Sequence, residues 1–211
     1  MKFASIVTVL ALSVVGVAHA QSALAPPPGI RLPKRAVESR QMEKQPVVSG
    51  VTIGNFKVTF EKTTLKQALA ALGAAPVGRR GDAGNSLSWI CYTIPAMRAR
   101  IWLLSDEMGG GETIMRMMAR PALPTEVEDM KCPTPTNHAS AAFIDNKIWL
   151  GDSIGKIESI LGKSSEAPKS IRYYWYNSPE DENGFSVQSL LLMKIEGDRV
   201  TEIQASNLTT N

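Results

Sequence analysis

This sequence contains few histidines and cysteines, and its basic and acidic residues are almost equal in number. Its 211 residues include two histidines and two cysteines, and 23 basic residues stand against 20 acidic ones. One histidine, His138, lies beyond the first 20 residues, which excludes a zinc site built from several histidines. A charge balance this close to neutral does not indicate nucleic-acid binding. The sequence therefore predicts no metal, no cofactor and no nucleic-acid partner.

Long apolar runs are missing after the N-terminus. Lys2 precedes an apolar run over residues 3–18, and Ala18-His19-Ala20 follows, which is the order of a secretory signal peptide. A membrane-spanning helix would need about 20 apolar residues. We therefore expect cleavage after Ala20, a periplasmic or secreted mature chain, and no transmembrane segment after cleavage. Gln21 follows the cleavage site, where a lipid-anchored protein would have a cysteine.

The two cysteines are Cys91 and Cys132. An even pair in an exported protein predicts a disulfide, and the C-x-x-C spacing of a redox-active pair is absent. Closing a loop of about 40 residues would stabilise the fold by about 4 kcal/mol on the chain-entropy argument. We expect a structural disulfide.

Proline and charged residues dominate the start of the mature chain. Residues 21–46 contain Pro26-Pro27-Pro28 and few large apolar side chains. This composition is typical of an extended, disordered arm. The folded part is expected to begin near Val47.

Two stretches have the pattern of a short amphipathic helix that ends at a glycine. In residues 63–73 two threonines precede apolar residues at 65, 68, 69 and 72, and Gly73 follows. In residues 152–162 Asp-Ser precedes apolar residues at 154, 157, 160 and 161, and Gly162 follows. A hydroxyl N-cap, one apolar face and a terminal glycine predict a helix in each stretch.

Strand patterns follow both predicted helices. The first set covers residues 87–92, 100–104 and 112–118, and the second covers 171–176, 186–195 and 199–204. We therefore expect the α+β class, with two tandem helix-plus-antiparallel-sheet repeats over residues 47–118 and 143–211. Residues 119–142, rich in proline, threonine and acidic residues, are expected to connect them.

The second half resembles a known class. The sequence LGDSIGKIESILGK at residues 150–163, followed by Tyr174-Trp175-Tyr176, resembles the helical signature of the BLIP-like class. That class is named after a secreted β-lactamase inhibitor protein and includes the SmpA/OmlA-like lipoproteins of the outer-membrane β-barrel assembly machinery. The resemblance implies helix-plus-sheet repeats that form a curved surface, and a role in binding other proteins. No lipid-attachment cysteine follows the signal, so the resemblance implies architecture and no particular partner.

Catalytic motifs are few. Asp106 and Glu107 precede the triple glycine at residues 109–111, and Asp82 lies in a glycine-rich loop. Two opposed carboxylates could cleave a glycosidic bond, but adjacent acidic residues beside a turn point in different directions. The triple glycine lacks the Lys-Ser/Thr of a phosphate-binding loop, and His138 lacks a nucleophile motif. A small periplasmic hydrolase that uses Asp or Glu remains the catalytic alternative.

Methionine is concentrated in one part of the chain. The residues concerned are Met97, Met108, Met115, Met117, Met118 and Met130. Methionine fills irregular cores and adaptable binding surfaces, and its sulfur also suits Cu(I). Alternation places Met115 and Met117 on one strand face and Met118 on the other. Core packing is the preferred interpretation, ahead of a binding surface and of copper.

Aromatic strands carry the candidate binding surface. Tyrosine, tryptophan and arginine are enriched where interfaces concentrate their binding energy. The candidate residues are Trp89, Tyr92, Arg172, Tyr174, Trp175 and Tyr176. They predict a non-catalytic module that binds another exported or envelope protein, either an inhibitor or an envelope-assembly accessory. The alternatives are the hydrolase and a glycan- or peptidoglycan-binding protein that stacks sugars on the same rings.

Overall fold

The computed structural model describes residues 24–31, 43–81, 86–106, 112–127, 129–137, 139, 142–145, 147–168 and 170–210. The expected signal peptide lies outside the described residues. So do Asp82, Glu107, the triple glycine at 109–111 and His138.

The described residues form two antiparallel sheets. The strands are β1 (Gly50–Ile53), β2 (Phe56–Thr59), β3 (Gly78–Arg80), β4 (Leu87–Ile94), β5 (Ala99–Asp106), β6 (Arg116–Pro121), β7 (Ala142–Ile144), β8 (Ser165–Ala167), β9 (Ile171–Asn177), β10 (Ser186–Glu196) and β11 (Arg199–Thr210). The large sheet has the order β3-β4-β5-β6-β11-β10-β9-β8, and the small one has the order β2-β1-β7.

Both predicted helices are present with the predicted bounds. Helix α1 (Leu65–Leu72) begins after Thr64, whose side chain accepts a hydrogen bond from the backbone N–H of Gln67, and ends at Gly73. Helix α2 (Ile154–Leu161) has the same kind of cap at Ser153 and ends at Gly162. Both glycines have positive φ, 98° and 86°, a conformation that residues with a Cβ rarely adopt.

The expected α+β class of two tandem helix-plus-sheet repeats is wrong. Strands are the main regular structure of the described residues, and the two α-helices have eight residues each. Strands from before and after the connector (residues 119–142) pair directly: Met117 of β6 lies opposite Ala205 of β11. This pairing produces a single eight-stranded sheet. The small sheet also joins both parts of the chain, since β7 pairs with β1. Strands β3–β6 and β8–β11 are therefore two halves of one continuous sheet and not the sheets of two separate repeats.

The core lies on one side of the large sheet, here called the inner face. The helices and the small sheet pack there, and the opposite side is called the outer face. Representative core residues are Val51 and Val58 from the small sheet, Leu65, Leu72 and Ile157 from the helices, and Ile90, Leu103, Leu191 and Ile203 from the large sheet. Each of these is at most 1% exposed, so this layer is dry and closely packed.

Part of the arm expected to be disordered packs against the large sheet. Leu24 is buried on the outer face, and the backbone N–H of Ile30 donates to Gln204 Oε1 at 3.3 Å. Near the other end of the arm, the backbone N–H of Glu43 donates to the carbonyl of Trp175 on β9 at 2.6 Å. The proline-rich composition therefore does not keep this part of the chain away from the fold.

Candidate functional site

The aromatic residues predicted to form one surface are divided between the two faces of the large sheet. On β9, Tyr174 and Tyr176 point to the inner face and Trp175 to the outer face. On β4, Tyr92 points to the inner face and Trp89 to the outer face. Neighbouring strand residues alternate between faces, so a run of aromatics cannot form one continuous surface.

Tyr92 and Tyr174 belong to the core and not to a binding surface. Each side chain is fully buried. The Tyr92 hydroxyl donates to the carbonyl of Gly73 at 2.6 Å, and the Tyr174 hydroxyl donates to the carbonyl of Gly162 at 2.7 Å. These two carbonyls lie at the C-terminal ends of α1 and α2, where backbone carbonyl groups have no hydrogen-bond donor within the helix. Burial raises the pKa of each tyrosine to about 12, because the ionised form loses its hydration.

Trp89 lies on the outer face, but its side chain is buried and so cannot form part of the predicted binding surface. Its side chain is 2% exposed and belongs to an outer cluster. The members of this outer cluster are Leu24, Trp89, Cys91, Trp102, Leu104, Met118 and Cys132. A Cβ built on Gly78 would overlap the Trp89 ring, so the ring fills the space left by that glycine. Trp89 therefore fixes β3 and covers the disulfide.

Tyr176 and Arg172 lie at the margin of the inner face. Tyr176 is half-buried and packs against the core. The Arg172 guanidinium forms an ion pair with Glu166 of β8, with Nη2 and Oε1 3.0 Å apart. Exposed pairs of this kind contribute about 0–1 kcal/mol. Arg172 is therefore placed to hold the edge strand and does not join Trp175 on the outer face.

Trp175 lines a pocket on the outer face that no other residue of the predicted set lines. The pocket has a volume of about 160 Å³. Its lining residues are Asp106, Met115, Arg116, Trp175, Gln188, Leu190, Gln204, Ser206 and Leu208, here called the open patch. Trp175, Leu190 and Leu208 are half-buried, so their apolar surfaces remain accessible.

Asp106 and Arg116 form the charged end of the open patch. Both also line a second pocket of about 370 Å³ together with Arg80, Ser86 and Leu87. Within the described chain, Oδ1 of Asp106 and Nε of Arg116 are buried and have no hydrogen-bond partner. Buried polar atoms are usually hydrogen-bonded in folded proteins. This end of the patch can therefore offer one acceptor and one donor to a bound polar group.

The connector, residues 119–142, is held on the outer face by ion pairs beside the outer cluster. Arg100 of β5 is 6% exposed and forms ion pairs with Glu126 at 3.2 Å and with Asp129 at 3.0 Å. Arg120 of β6 reaches the same Glu126 Oε1 at 2.6 Å and lies over the Trp102 ring, 5.3 Å from its centroid. The hydrogen bond from Arg120 is the largest cause that lowers the pKa of Glu126 to about 2.

The disulfide predicted from the two cysteines is confirmed. Cys91 and Cys132 are joined, and both are buried. The bond ties the connector to the centre of β4, close to the ion pairs that hold the same segment. In addition, the described helices lack the length and apolar character that a bilayer crossing requires.

The alternatives of a metal site and a carboxylate-based hydrolase each require particular side chains to lie close together. They contain no group of three or more His, Cys, Asp and Glu side chains that could hold a metal ion. Asp106 ends β5, while the carboxylates proposed to oppose it, Asp82 and Glu107, lie outside the described residues.

The described methionines divide between the two faces. Met117 is part of the core, Met118 belongs to the outer cluster, and Met115 lines the open patch. Met130 is 88% exposed. Met117 and Met118 take opposite faces, as alternation predicts. The prediction that Met115 shares a face with Met117 is wrong, because Met115 precedes β6 and lines the open patch on the outer face. Met97 packs against the core, so the preferred interpretation of core packing agrees with most of these positions.

Sequence analysis missed the residues that surround Trp175. Leu190 lies on a predicted strand to which no binding role was given, and Leu208 lies beyond residue 204, where the last predicted strand ends. A usable signal existed, because residues 190–193 are apolar without interruption, which indicates a strand covered on both faces.

Comparisons with protein-family models, curated proteins and solved structures found no match for this chain.

Proposed function

We propose that this protein is an exported, non-catalytic module that binds a segment of another exported or envelope protein on the open patch. The observation that supports this most directly is the pocket beside Trp175. Its lining combines Trp175, Leu190 and Leu208 with two buried polar atoms, Asp106 Oδ1 and Arg116 Nε, that have no hydrogen-bond partner among the described residues. Tryptophan and arginine are both enriched where interfaces concentrate their binding energy.

The size of the pocket beside Trp175, unlike that of the adjoining pocket of about 370 Å³, favours a side chain over a small-molecule substrate. Sites for small molecules have volumes of about 300–1,000 Å³. The open patch encloses about 160 Å³, which suits one large side chain of a partner. A flanking polar group of the partner would meet Arg116 and Asp106. The resemblance of residues 150–163 to the BLIP-like class agrees with protein binding, and remains a prediction.

Export is the second part of the proposal. A disulfide and the absence of a membrane-spanning helix in the described residues are compatible with an exported protein. The finer proposal is a periplasmic or secreted chain that begins at Gln21 after signal cleavage. The N-terminal sequence of the purified protein tests this directly, because an uncleaved chain would begin at Met1.

Site-specific photo-crosslinking in the native envelope tests the binding function. A photoreactive amino acid replaces Gln188, which lines the open patch, and in a control protein replaces Lys57, which is exposed on β2. We expect an adduct with a distinct protein from position 188 and none from position 57. The Trp175→Ala variant should lower the yield at 188 about 30-fold, as loss of an interface hot spot of about 2 kcal/mol would.

A matched aromatic control separates binding from folding. Phe143 is 37% exposed on β7, away from the outer face, so Phe143→Ala removes a ring of similar size from an unrelated surface. Its adduct yield should equal that of the wild type. No adduct from position 188 in the wild type, or an unchanged yield in a folded Trp175→Ala variant, would exclude the open patch as the binding site.

A further inference from the structure

Residues 24–31, here called the strap, cross the outer face next to the open patch. Leu24 is 8% exposed in the outer cluster, against Trp89 of β4 and Trp102 of β5. Ile30, six residues later, packs against Tyr173 and Leu192 on the other half of the large sheet. The strap thus covers the part of the outer face that lies between the connector and the patch.

The distance between the two anchors fits an extended conformation across the strands. Six residues of polyproline II span about 19 Å. From the middle of β4 and β5 to the middle of β10 and β9 there are four strand spacings, or about 19 Å. The segment Pro26-Pro27-Pro28 between the anchors favours that conformation before binding, so little entropy is lost when the strap is ordered.

The strap is held at its ends and open in its middle. Ala25, Pro26, Pro28 and Gly29 are exposed, and Pro27 is half-buried. The hydrogen bond from the backbone N–H of Ile30 to Gln204 is long, at 3.3 Å. A pocket of about 420 Å³ lies between Pro26 and Pro28 of the strap and the connector side chains Glu126 and Asp129. A segment held in this way can leave without breaking any pairing of the large sheet.

We infer that the strap is an intramolecular stand-in for a ligand, and that the face beneath it receives an extended, proline-containing segment of the partner protein. That segment carries aliphatic side chains about six residues apart, one for the outer cluster and one for Tyr173 and Leu192. Gln204 both lines the open patch and accepts the hydrogen bond from Ile30, so the two sites are continuous. The inference rests on the proposed function and names the chemistry of its partner.

Binding of the strap sequence in trans tests the inference without any partner protein. The probe is a fluorescently labelled synthetic peptide with the sequence of residues 21–33. The receptor is the full mature chain with Leu24→Ser and Ile30→Ser, which removes both anchors. We expect this chain to bind the peptide at least tenfold more tightly than the wild type, whose face is already covered. A peptide with the same two serines should not bind.

Two further variants control for misfolding and for nonspecific effects. Leu24→Ala is a milder change and should give an affinity between those of the wild type and the double variant. Ala25→Ser with Arg31→Ser changes exposed positions of the strap and should bind the peptide no better than the wild type. Equal binding by all chains, no binding by any folded chain, or a wild-type dimer that exchanges its straps would overturn the inference.

The crosslinking assay separates failure of this inference from failure of the proposed function. If the partner segment occupies the covered face, the double serine variant should raise the adduct yield at position 188 several-fold. An unchanged yield, with crosslinking still dependent on Trp175, would refute the inference and leave the function in place. Peptide binding without any Trp175-dependent adduct would refute the proposed function and the partner segment with it, while showing that the face beneath the strap binds this sequence.

Discussion

Removing the two tyrosine hydroxyls that close the helices should destabilise the protein at neutral pH. Tyr92→Phe removes the donor at 2.6 Å from the carbonyl of the half-buried Gly73, and Tyr174→Phe removes the donor at 2.7 Å from the carbonyl of the exposed Gly162. The rings stay in place, so no cavity forms. The loss of one hydrogen bond costs about 0.5–1.5 kcal/mol for each substitution. The two should add, because the hydroxyls serve different helices.

Alkaline pH should reduce the difference between the wild type and these variants. The pKa of both tyrosines is about 12 in the folded protein and about 10 in an unfolded chain. A raised pKa contributes stability that is complete below pH 10 and is lost as the pH rises towards 12. The loss is about 3 kcal/mol for each tyrosine, and phenylalanine has no such loss. The two curves of unfolding free energy should therefore converge or cross.

Urea unfolding at pH 7 and at several values between 9.5 and 11.5 measures both effects, with the circular dichroism of the large sheet as the signal. Tyr176→Phe is the matched control, because Tyr176 is a half-buried tyrosine of the same strand as Tyr174. Its free energy of unfolding should change by less than about 0.5 kcal/mol. A constant difference between the Tyr92→Phe variant and the wild type across this pH range would refute the burial of the Tyr92 hydroxyl, because burial is the cause of its raised pKa.

Three further changes test the outer face. Replacing Cys91 and Cys132 by alanine should lower the free energy of unfolding by about 4 kcal/mol, and a thiol assay on the wild type should detect no free thiol. Lowering the pH from 4.5 towards 2 should remove about 1–2 kcal/mol of stability as Glu126 is protonated, and the Glu126→Gln variant, less stable at pH 7, should lack this acid loss. Gly78→Ala should cost about 1–3 kcal/mol and shift the fluorescence of Trp89, since the new Cβ would overlap that ring. An equally stable Gly78→Ala variant would show that the ring is free to move.

Local patterns predicted the helices well because each signal is complete within about ten residues. Thr64 caps α1 and Gly73 ends it, as the positions of hydroxyl, apolar face and glycine indicate. The fold class depends on pairings between distant residues, which no local pattern contains. The direct pairing of β6 with β11, and of β1 with β7, joins segments about 90 residues apart in the sequence. The two-repeat interpretation was wrong for this reason.

The binding residues were harder to predict than the strands that carry them. Alternation shows that Tyr174 and Trp175 face opposite ways, but not which one meets the helices. The answer depends on α2, whose last carbonyl, that of Gly162, accepts the Tyr174 hydroxyl and so draws that ring inward. The strap was missed because Leu24 and Ile30 are isolated apolar residues among prolines, and such isolated residues carry no periodic signal.

The apolar character of both faces of the large sheet links the strap to the open patch. Many antiparallel sheets leave one face polar and solvated, yet β10 places Leu191 on the inner face and Leu190 and Leu192 on the outer one. Such an outer face needs a cover. The connector covers one part through the disulfide, the strap covers the next part through two apolar anchors, and the side chain of Trp175 is half-buried. Since exchange is easiest where the cover is held by the fewest contacts, a partner that binds at Trp175 would extend its contact beneath the strap and not beneath the connector.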